Sequence, residues 1–343
     1  MKILRKLLFF FSIIYGIITN IRNFLYDKAI LKSFCFDVPI IAVGNLSVGG
    51  TGKTPQIEYL IRLLSNQYKV ATLSRGYKRK SKGFVLADEN SNAEILGDEP
   101  FQFYQKFPKI KVAVDTDRRN GIIQLLTLND KPDIILLDDA YQHRKVKAGF
   151  YIMLSSYDDL FFKDYMLPTG NLREYRSGAK RADMIIITKC PTTISELAMS
   201  KIKRKVLRYA KSNTPIFFTY IGYDDLLFGE HTTLDLKKTL KESVLAVAGI
   251  AKPQPFFKYL NTCASASMEF PDHHLFSQKD ISSILEKAQG RKIITTEKDY
   301  MRLKGKLPKE QLYYLPIKSL FNNENKLFES EILNYVGKSA RNR

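Results

Sequence analysis

A glycine-rich segment near the amino terminus has the residue types of a phosphate-binding loop. Residues 45–54 read NLSVGGTGKT, whereas the usual nucleotide-binding pattern is G-x-x-x-x-G-K-[ST], so that Ser47 stands where the first glycine belongs. The glycines let backbone N–H groups approach phosphate oxygens, and a following helix would direct its positive end toward them. Lys53 would reach the β- and γ-phosphates, and the Thr54 hydroxyl would bind Mg²⁺. We therefore predict a nucleotide site formed by Ser47, Val48, Gly49, Gly50, Thr51, Gly52, Lys53 and Thr54.

A pair of aspartates follows an apolar run later in the chain. Residues 134–137 read IILL and are followed by Asp138 and Asp139. In P-loop enzymes an acid at the end of a buried strand binds or orients the Mg²⁺ shell, and the other carboxylate could position substrate or metal. Such a pair can also cap a helix, but the phosphate-binding loop favours the metal.

Two other positions narrow the class of nucleotide enzyme. A GTPase would carry an N/TKxD segment that reads guanine, and ITKCP has Pro191 where the aspartate belongs. Partition-type ATPases carry a lysine before the paired glycines, at the position of Val48. The sequence therefore favours neither class.

Two further segments hold groups that could move a proton. GDEP places Asp98 and Glu99 directly after a glycine, and PDHH places Asp272, His273 and His274 together. Phosphoryl transfer to a hydroxyl needs a proton acceptor, and a histidine beside a carboxylate can tune its basicity. Taken alone, each segment is more typical of a solvated turn or a helix cap.

These residues need a scaffold of parallel strands, which the apolar pattern predicts. Runs such as VPIIAV, DIILLDD and MIIITK are continuous and apolar, and they alternate with helical stretches such as QIEYLIRLL. The predicted fold class is α/β: a P-loop NTPase-like, mostly parallel sheet, with a second, smaller α/β/α domain. The chain has 343 residues, more than one core usually holds. We predict an amino-terminal membrane-interface helix over 1–34, a P-loop core over 35–220 and a smaller domain over 221–343 that closes over the cleft.

The charge and the amino terminus point to an anionic partner. The net charge is +19, which favours nucleic acid, anionic lipid or a phosphorylated substrate, but no nucleic-acid-binding motif is present. Residues 7–21 are uncharged and flanked by cations, and the run is shorter than the roughly 20 apolar residues of a spanning helix. We expect a helix that lies in the membrane interface; a short or tilted span, a signal peptide or a buried helix are the alternatives. The three cysteines are far apart and fit a reducing compartment.

Eight motifs in order resemble one enzyme family. They are VGNLSVGGTGKTP, SRGYKRK, GDEP, DDAYQH, LPTGNLRE, AGIAKPQPFF, DHH and TTEKD. The set resembles the tetraacyldisaccharide 4′-kinases of lipid A biosynthesis, whose loop also begins with serine. The resemblance implies ATP-dependent phosphorylation of the 4′-hydroxyl of a tetraacylated glucosamine disaccharide 1-phosphate at the cytoplasmic face of the inner membrane. It also implies two α/β/α domains joined by a two-stranded linker, with ATP and Mg²⁺ in the cleft.

The resemblance also implies roles for individual residues. Asp98 would be the base, partnered by His273, and Lys53 would stabilise the transferring phosphoryl group. Thr54, Glu99 and Asp138 would serve the Mg²⁺ site, with Asp139 beside them. Residues that fall on motifs lining the cleft would contact substrate: Arg75, Arg118, Gln142, His143 and Arg173. We expect a monomer that binds the acylated disaccharide 1-phosphate and an anionic membrane surface, with no nucleic-acid partner.

Overall fold

A large, mostly parallel sheet carries the glycine-rich loop. The computed structural model describes residues 8–260, 264–272 and 274–341. Within them, nine strands form this sheet in the order β15-β8-β7-β6-β1-β5-β2-β4-β3. Their bounds are β1 (Ile40–Asn45), β2 (Val70–Ser74), β3 (Val85–Leu86), β4 (Lys111–Val114), β5 (Ile134–Asp138), β6 (Phe150–Ser156), β7 (Met184–Thr188), β8 (Ile216–Tyr223) and β15 (Ile317–Phe321).

The centre of this sheet is parallel and buried. β1 pairs in parallel with β5 on one side and β6 on the other, and β6 pairs in parallel with β7. Among the described strands of this large sheet, only the outer strands β3 and β15 pair antiparallel with their neighbours. Every residue of β1, β5 and β7 is buried, which explains their continuous apolar runs. The segments that follow β1, β5 and β7 therefore lie side by side at one edge.

Helices cover both faces of the large sheet. Apolar residues of α2, α4 and α11 pack on one face, and those of α5 and α6 pack on the other. The bounds are α1 (Phe9–Asp27), α2 (Lys53–Leu64), α3 (Ala93–Leu96), α4 (Asp98–Lys106), α5 (Arg118–Leu126), α6 (Glu196–Val206) and α11 (Asn325–Arg341), with 3₁₀ turns at Phe161–Lys163 and Arg176–Arg181. The predicted α/β class with a mostly parallel main sheet is confirmed.

A second, smaller sheet is also covered by helices. Within the described ranges its order is β10-β9-β14-β13-β11-β12. The four strands β11, β12, β13 and β14 pair in parallel. The strands are β9 (Leu226–Phe228), β10 (Thr233–Asp235), β11 (Val244–Ala248), β12 (Ala264–Glu269), β13 (Lys292–Thr295) and β14 (Leu312–Tyr314). The helices are α7 (Leu236–Thr239), α8 (Gln254–Leu260), α9 (Gln278–Ala288) and α10 (Glu297–Leu303).

The chain enters the smaller sheet after β8 and returns to the larger one at β15. These two strands pair antiparallel, with Ser319 opposite Ile221. The predicted division at residue 220 places all of 221–343 in the smaller domain. In the structure β15 is a strand of the larger sheet, and α11 packs against that sheet. Likewise QLYYLPI at 311–317, which is one largely apolar run in the sequence, is divided between β14 and β15 around Pro316. The reason is long-range packing: Phe328, Ile332 and Val336 complete the core beneath α2.

Candidate active site

The glycine-rich loop connects β1 to α2 with the backbone that a phosphate site needs. Gly49 and Gly52 have φ values of 107° and 82°, a region that other residues rarely adopt. Gly52 directly precedes α2, so loop N–H groups and the positive end of the helix lie together. The loop is held from outside, because the Val48 N–H donates to the Asn171 carbonyl at 2.8 Å.

Ser47 fits the loop because its backbone does not require glycine. It pairs as an antiparallel bridge with Leu172, and it is not among the residues with positive φ. Asn45 Nδ2 donates to the Ser47 carbonyl at 2.6 Å, and Ser47 is buried. The serine is therefore compatible with the loop, whose positive φ values fall at the later Gly49 and Gly52.

Lys53, Asp139 and Arg173 form a charged cluster at the loop. Lys53 Nζ lies 3.7 Å from Asp139 Oδ1, and Arg173 contacts both carboxylate oxygens of Asp139. Burial raises the pKa of Asp139, but the opposing effect of Lys53 and Arg173 is larger. The pKa of Asp139 therefore lies below its ordinary value. Asp139 therefore remains an anion that holds two cations beside the phosphate-binding loop.

Asp138 is a buried carboxylate with an open coordination position. Its Oδ1 atom has no hydrogen-bond partner among the described residues. Burial raises the pKa of Asp138 to about 6, and nearby Lys53 opposes this rise. A buried carboxylate oxygen without a partner is costly, and a cation at this position would satisfy it. Asp138 is thus suited to Mg²⁺, which prefers oxygen ligands, and the predicted ligand Thr54 lies in the first turn of α2.

The described residues contain no cluster of three Cys, His, Asp or Glu side chains that would form a complete metal cage. Mg²⁺ usually binds to one or two carboxylates and takes its other ligands from water and phosphate. The predicted ligand Glu99 is close enough for its charge to raise the pKa of Asp138. The donor set therefore fits a nucleotide-bound Mg²⁺ better than a permanent metal centre.

Asp98 and Glu99 begin α4 and face the smaller sheet. Gly97, with φ 91°, packs against the backbone of Gly76 and Tyr77, which brings the SRGY segment beside these acids. Glu99 Oε1 accepts from Lys298 Nζ of α10 at 2.7 Å. Asp98 forms an ion pair with Arg302, which also lies on α10. Both predicted acids therefore lie where α4, on the larger sheet, contacts α10, on the smaller one.

The residues predicted to contact substrate occupy different environments. Arg75 is exposed near the buried Arg118. Arg118 donates to the backbone carbonyls of Asp115 and Asp138, and burial lowers its pKa to about 10. This placement lets Arg118 hold the end of β5 and gives a substrate little access to it.

Gln142 and His143 follow the aspartate pair. Gln142 Nε2 donates at 2.8 Å to both the Asn45 carbonyl and Glu174. Burial lowers the pKa of His143 to about 4, and its Nε2 has no partner among the described residues. His143 is therefore neutral at pH 7. Gln142 links the end of β1 to the segment that carries Arg173.

The predicted partner of Asp98, His273, lies outside the described residues. The neighbouring His274 is described, and its Nε2 lies 3.0 Å from Asp280 Oδ2 at the start of α9. Asp280 also accepts from the Ser277 hydroxyl and backbone in a capping box. His274 therefore belongs to a helix cap.

Several polar residues at the site were not singled out from the sequence. Asn45 contacts Ser47 and Arg173, and buried Glu174 accepts from Arg181 at 2.8 Å. Thr188 Oγ1 donates to the Thr51 carbonyl at 2.7 Å. The common signal is a polar residue that ends an apolar strand or adjoins a basic motif residue.

Known proteins match nearly the whole chain. The family model described as Tetraacyldisaccharide-1-P 4'-kinase matches residues 4–336. A Flavobacterium johnsoniae protein named tetraacyldisaccharide 4'-kinase is 64% identical over 336 residues, covering 98% of each chain. Another from Flavobacterium psychrophilum, with the same name, is 62% identical over 342 residues and covers 100% of both.

A solved structure extends these matches to three dimensions. The crystal structure of LpxK from Aquifex aeolicus in complex with ATP is 32% identical, with a TM-score of 0.78. The match covers 97% of this chain and 99% of that chain. The resemblance seen in the motifs is confirmed. The chain belongs to the tetraacyldisaccharide 1-phosphate 4′-kinase family.

Proposed function

We propose that this lipid A biosynthesis kinase transfers the γ-phosphate of Mg²⁺-bound ATP to the 4′-hydroxyl of a tetraacylated glucosamine disaccharide 1-phosphate, using Asp98 as proton acceptor. The observation that carries the proposal is the grouping of Lys53 with Asp139 and buried Asp138, at the ends of adjacent strands. Such a grouping serves phosphoryl transfer, in which catalysis is mostly positioning and charge stabilisation.

The nucleotide would occupy the loop and the start of α2. Thr54 and Asp138 would hold the Mg²⁺ ion, and Glu99 would add a carboxylate to its shell. When bound, the ion would neutralise charge on the β- and γ-phosphates. Lys53 would donate to the same phosphates, while Asp139 and Arg173 keep its ammonium in position. The unpaired oxygen of Asp138 supports this assignment.

The acceptor hydroxyl would approach from the side of α4. Asp98 begins this helix and is about one-quarter exposed, so a hydroxyl can reach its carboxylate. The hydroxyl oxygen would bond to the γ-phosphorus, the bond from that phosphorus to the bridging oxygen would break, and ADP would leave. Asp98 would accept the hydroxyl proton. Arg302 holds one side of this carboxylate and would orient it. The pairing of Asp98 with His273 stays a prediction.

The amino-terminal helix places an apolar surface beside the site. Ser12 and Gly16 of α1 are buried, and Tyr15 Oη donates to the Arg173 carbonyl at 3.0 Å. Arg22 donates to the Gln142 carbonyl at 3.0 Å. The opposite side of the helix exposes large apolar residues: Phe9, Phe10, Phe11, Ile13, Ile14, Ile17, Ile18, Ile21 and Phe24. The polar side of α1 thus attaches to the segments that carry catalytic residues.

This arrangement supports a protein that works at a membrane surface. Among the helices that the structure describes, none is both long and apolar enough to cross a bilayer. A four-chain lipid leaves a bilayer at a cost of about 0.8 kcal/mol per CH₂, so the enzyme must come to the lipid. The outward apolar side of α1 and the net charge of +19 suit an anionic bilayer. We propose that the protein works at the cytoplasmic face of the inner membrane, as a monomer.

A transfer assay tests the proposed function. Full-length protein is incubated with γ-labelled ATP, Mg²⁺ and tetraacyldisaccharide 1-phosphate, and labelled lipid is measured. We expect Lys53→Ala and Asp98→Asn to reduce labelled lipid by at least about 10²-fold. Glu89→Ala, an exposed acid away from the site, should leave the rate unchanged.

Each contrary result has a defined meaning. ATP binding without labelled lipid would overturn the kinase proposal in favour of a nucleotide-dependent membrane switch. ATP hydrolysis stimulated by DNA or RNA, again without labelled lipid, would favour a nucleic-acid ATPase. Full activity in Asp98→Asn would refute the role of Asp98 alone.

A further inference from the structure

Two strands beside the loop end in an unusual backbone conformation. Asp139 follows β5 with φ 46°, and Lys189 follows β7 with φ 57°. Aspartate adopts this left-handed conformation more readily than most residues, whereas it is uncommon for lysine, and such strain concentrates at functional sites. Asp139 forms an ion pair with Lys53 of the loop. Lys189 occupies the corresponding position after β7.

The end of β7 is packed directly against the loop. Thr188 is buried, and its Oγ1 donates to the Thr51 carbonyl at 2.7 Å. A Cβ atom built on Gly52 would lie 3.5 Å from Thr188 Cβ. These contacts fix the residue after Thr188 relative to the glycines of the loop.

The ammonium group of Lys189 lies near one glycine of the loop, Gly50. Its Nζ lies 3.7 Å from the position that a Cβ atom of Gly50 would occupy. Glycines occur here so that the backbone can approach a phosphate closely. The Lys189 ammonium therefore lies at the surface on which a nucleotide phosphate would bind.

Lys189 has no counterion among the described residues, although other charges surround it. Burial lowers the pKa of Lys189, and the neighbouring cation Lys252 lowers it further. Lys252 itself contacts Asp159 at 3.5 Å, and Lys298 contacts Glu99 at 2.7 Å. The charges of Asp158 and Asp159 raise the pKa of Lys189, but by less than burial and the neighbouring cations lower it. An anion at Gly50 would relieve this excess of positive charge.

We infer that Lys189 is a second phosphate-binding lysine, which donates to an oxygen of the β- or γ-phosphate of ATP on the Gly50 side of the loop. The inference rests on the nucleotide binding of the proposed function and adds a contact that the glycine-rich motif does not contain. The ITKCP segment, which lacks the aspartate needed to read guanine, thereby gains a role in holding phosphate.

A nucleotide series separates phosphate contact from base contact. Binding of AMP, ADP and a non-hydrolysable ATP analogue with Mg²⁺ is measured by displacement of a fluorescent nucleotide from the full-length protein. Lys189→Met retains the length of the side chain and removes its charge. We expect AMP affinity to change less than about twofold, whereas ADP or ATP-analogue affinity falls about tenfold. Lys189→Arg should restore part of the loss.

The test has a matched control and two outcomes that would overturn the inference. Lys201→Met removes an exposed lysine on α6 and should leave all three affinities unchanged. Equal loss for AMP and the ATP analogue would overturn the inference, because Lys189 would then contact the base or ribose. Unchanged ATP-analogue affinity in Lys189→Met would also overturn it. If Lys189→Met does not fold, Lys189→Gln with the same series replaces it.

The binding series uses no lipid and is therefore independent of the transfer reaction. Wild-type protein that binds nucleotides with the expected Lys189 dependence but labels no lipid would refute the proposed function and leave the inference intact. Wild-type protein that binds no nucleotide would overturn both.

Discussion

Arg173 contacts Asp139 through two separate hydrogen bonds, from Nη1 at 3.2 Å and from Nη2 at 2.8 Å. The same guanidinium also donates to the carbonyl and side chain of Asn45, at the end of β1. Arg173 therefore joins the residue after β5 to the strand that leads into the phosphate-binding loop. Its planar group makes this possible, because it presents several donors in a fixed geometry.

Replacing Arg173 with lysine should separate geometry from charge. Lysine retains the positive charge but cannot bind Asp139 with two nitrogens and Asn45 at the same time. We expect Arg173→Lys to lower kcat by about 10- to 100-fold, since it disturbs the residue that positions Lys53. Steady-state phosphorylation of the lipid measures the change.

The control for this prediction lies in the same segment. Arg176 donates to the Asp164 carbonyl at 2.8 Å and makes no contact with Asp139. Arg176→Lys should therefore keep kcat within about twofold. Equal rates for wild type and Arg173→Lys would show that the two-point contact is dispensable.

Asp138→Asn should stabilise the nucleotide-free protein while removing activity. The folded-state pKa of Asp138 is raised from 3.8 to about 6. Stability from this group is therefore fully present below about pH 4 and is lost as the pH rises through about 6. At pH 7.5 the ionised group opposes folding by roughly 2–3 kcal/mol, which asparagine would remove.

Thermal unfolding at pH 7.5 and at pH 4.5 tests this prediction. We expect the gain in Tm of Asp138→Asn over wild type to be several degrees at pH 7.5 and smaller at pH 4.5. Mg²⁺-dependent ATP affinity should fall in the same variant. A lower Tm than wild type at pH 7.5 would show that the Asp138 charge is already neutralised within the protein.

The central fold follows from the sequence because local pattern and tertiary burial agree there. Strands such as β5 and β7 are buried on both faces, so their apolar runs are continuous. The carboxyl-terminal part behaves differently. β14 and β15 are only two residues apart, yet they join different sheets. No local pattern records that change, because it depends on α11 packing against α2 more than 250 residues away.

The candidate site was also predicted unevenly. Lys53, Asp138 and Asp139 belong to short motifs whose spacing expresses their chemistry. Asn45 and Glu174 act through hydrogen bonds to other residues, so their role depends on contacts that a sequence does not display. Arg118 shows the opposite case, since it belongs to a family motif but is buried against backbone carbonyls.

A buried ionic cluster between three helices should make stability depend on pH. Lys106 of α4 contacts Glu58 of α2 at 2.7 Å and also pairs with Glu297 of α10. Burial, followed by the charge of Glu58, raises the pKa of Glu297 to about 7. The contribution of Glu297 to stability is therefore fully present below about pH 4.5 and is lost as the pH rises through about 7.

Glu297→Gln should flatten this pH dependence. Glutamine stays neutral, so we expect the decrease in the free energy of unfolding between pH 5 and pH 8 to shrink by roughly 1–3 kcal/mol. Lys106→Met should instead destabilise the protein by about 3–5 kcal/mol at pH 8, because it leaves buried Glu297 without its cation, whereas Glu58 keeps its ion pair with Arg62. Urea unfolding across this pH range measures both effects. The exposed Glu89→Gln should keep the wild-type profile, and a Glu297→Gln profile identical to it would contradict the prediction.

Charges on the outer side of α1 should detach the protein from membranes without disturbing its site. Ile17 and Ile18 are 51% and 60% exposed, while Ser12, Tyr15 and Gly16 on the inner side make the contacts with the rest of the protein. Burying one such side chain in an apolar phase contributes about 1.5–3 kcal/mol, so the double variant Ile17→Glu/Ile18→Glu should lose at least tenfold in partition onto anionic vesicles.

Leu197→Glu is the control: it changes a residue that is 65% exposed on α6, and it should bind vesicles as wild type does. Nucleotide affinity should stay unchanged in both variants, whereas phosphorylation of vesicle-borne lipid should fall only in the α1 variant. If the α1 variant binds vesicles as well as wild type, the basic surface anchors the protein and α1 serves only to support Arg173 and Gln142.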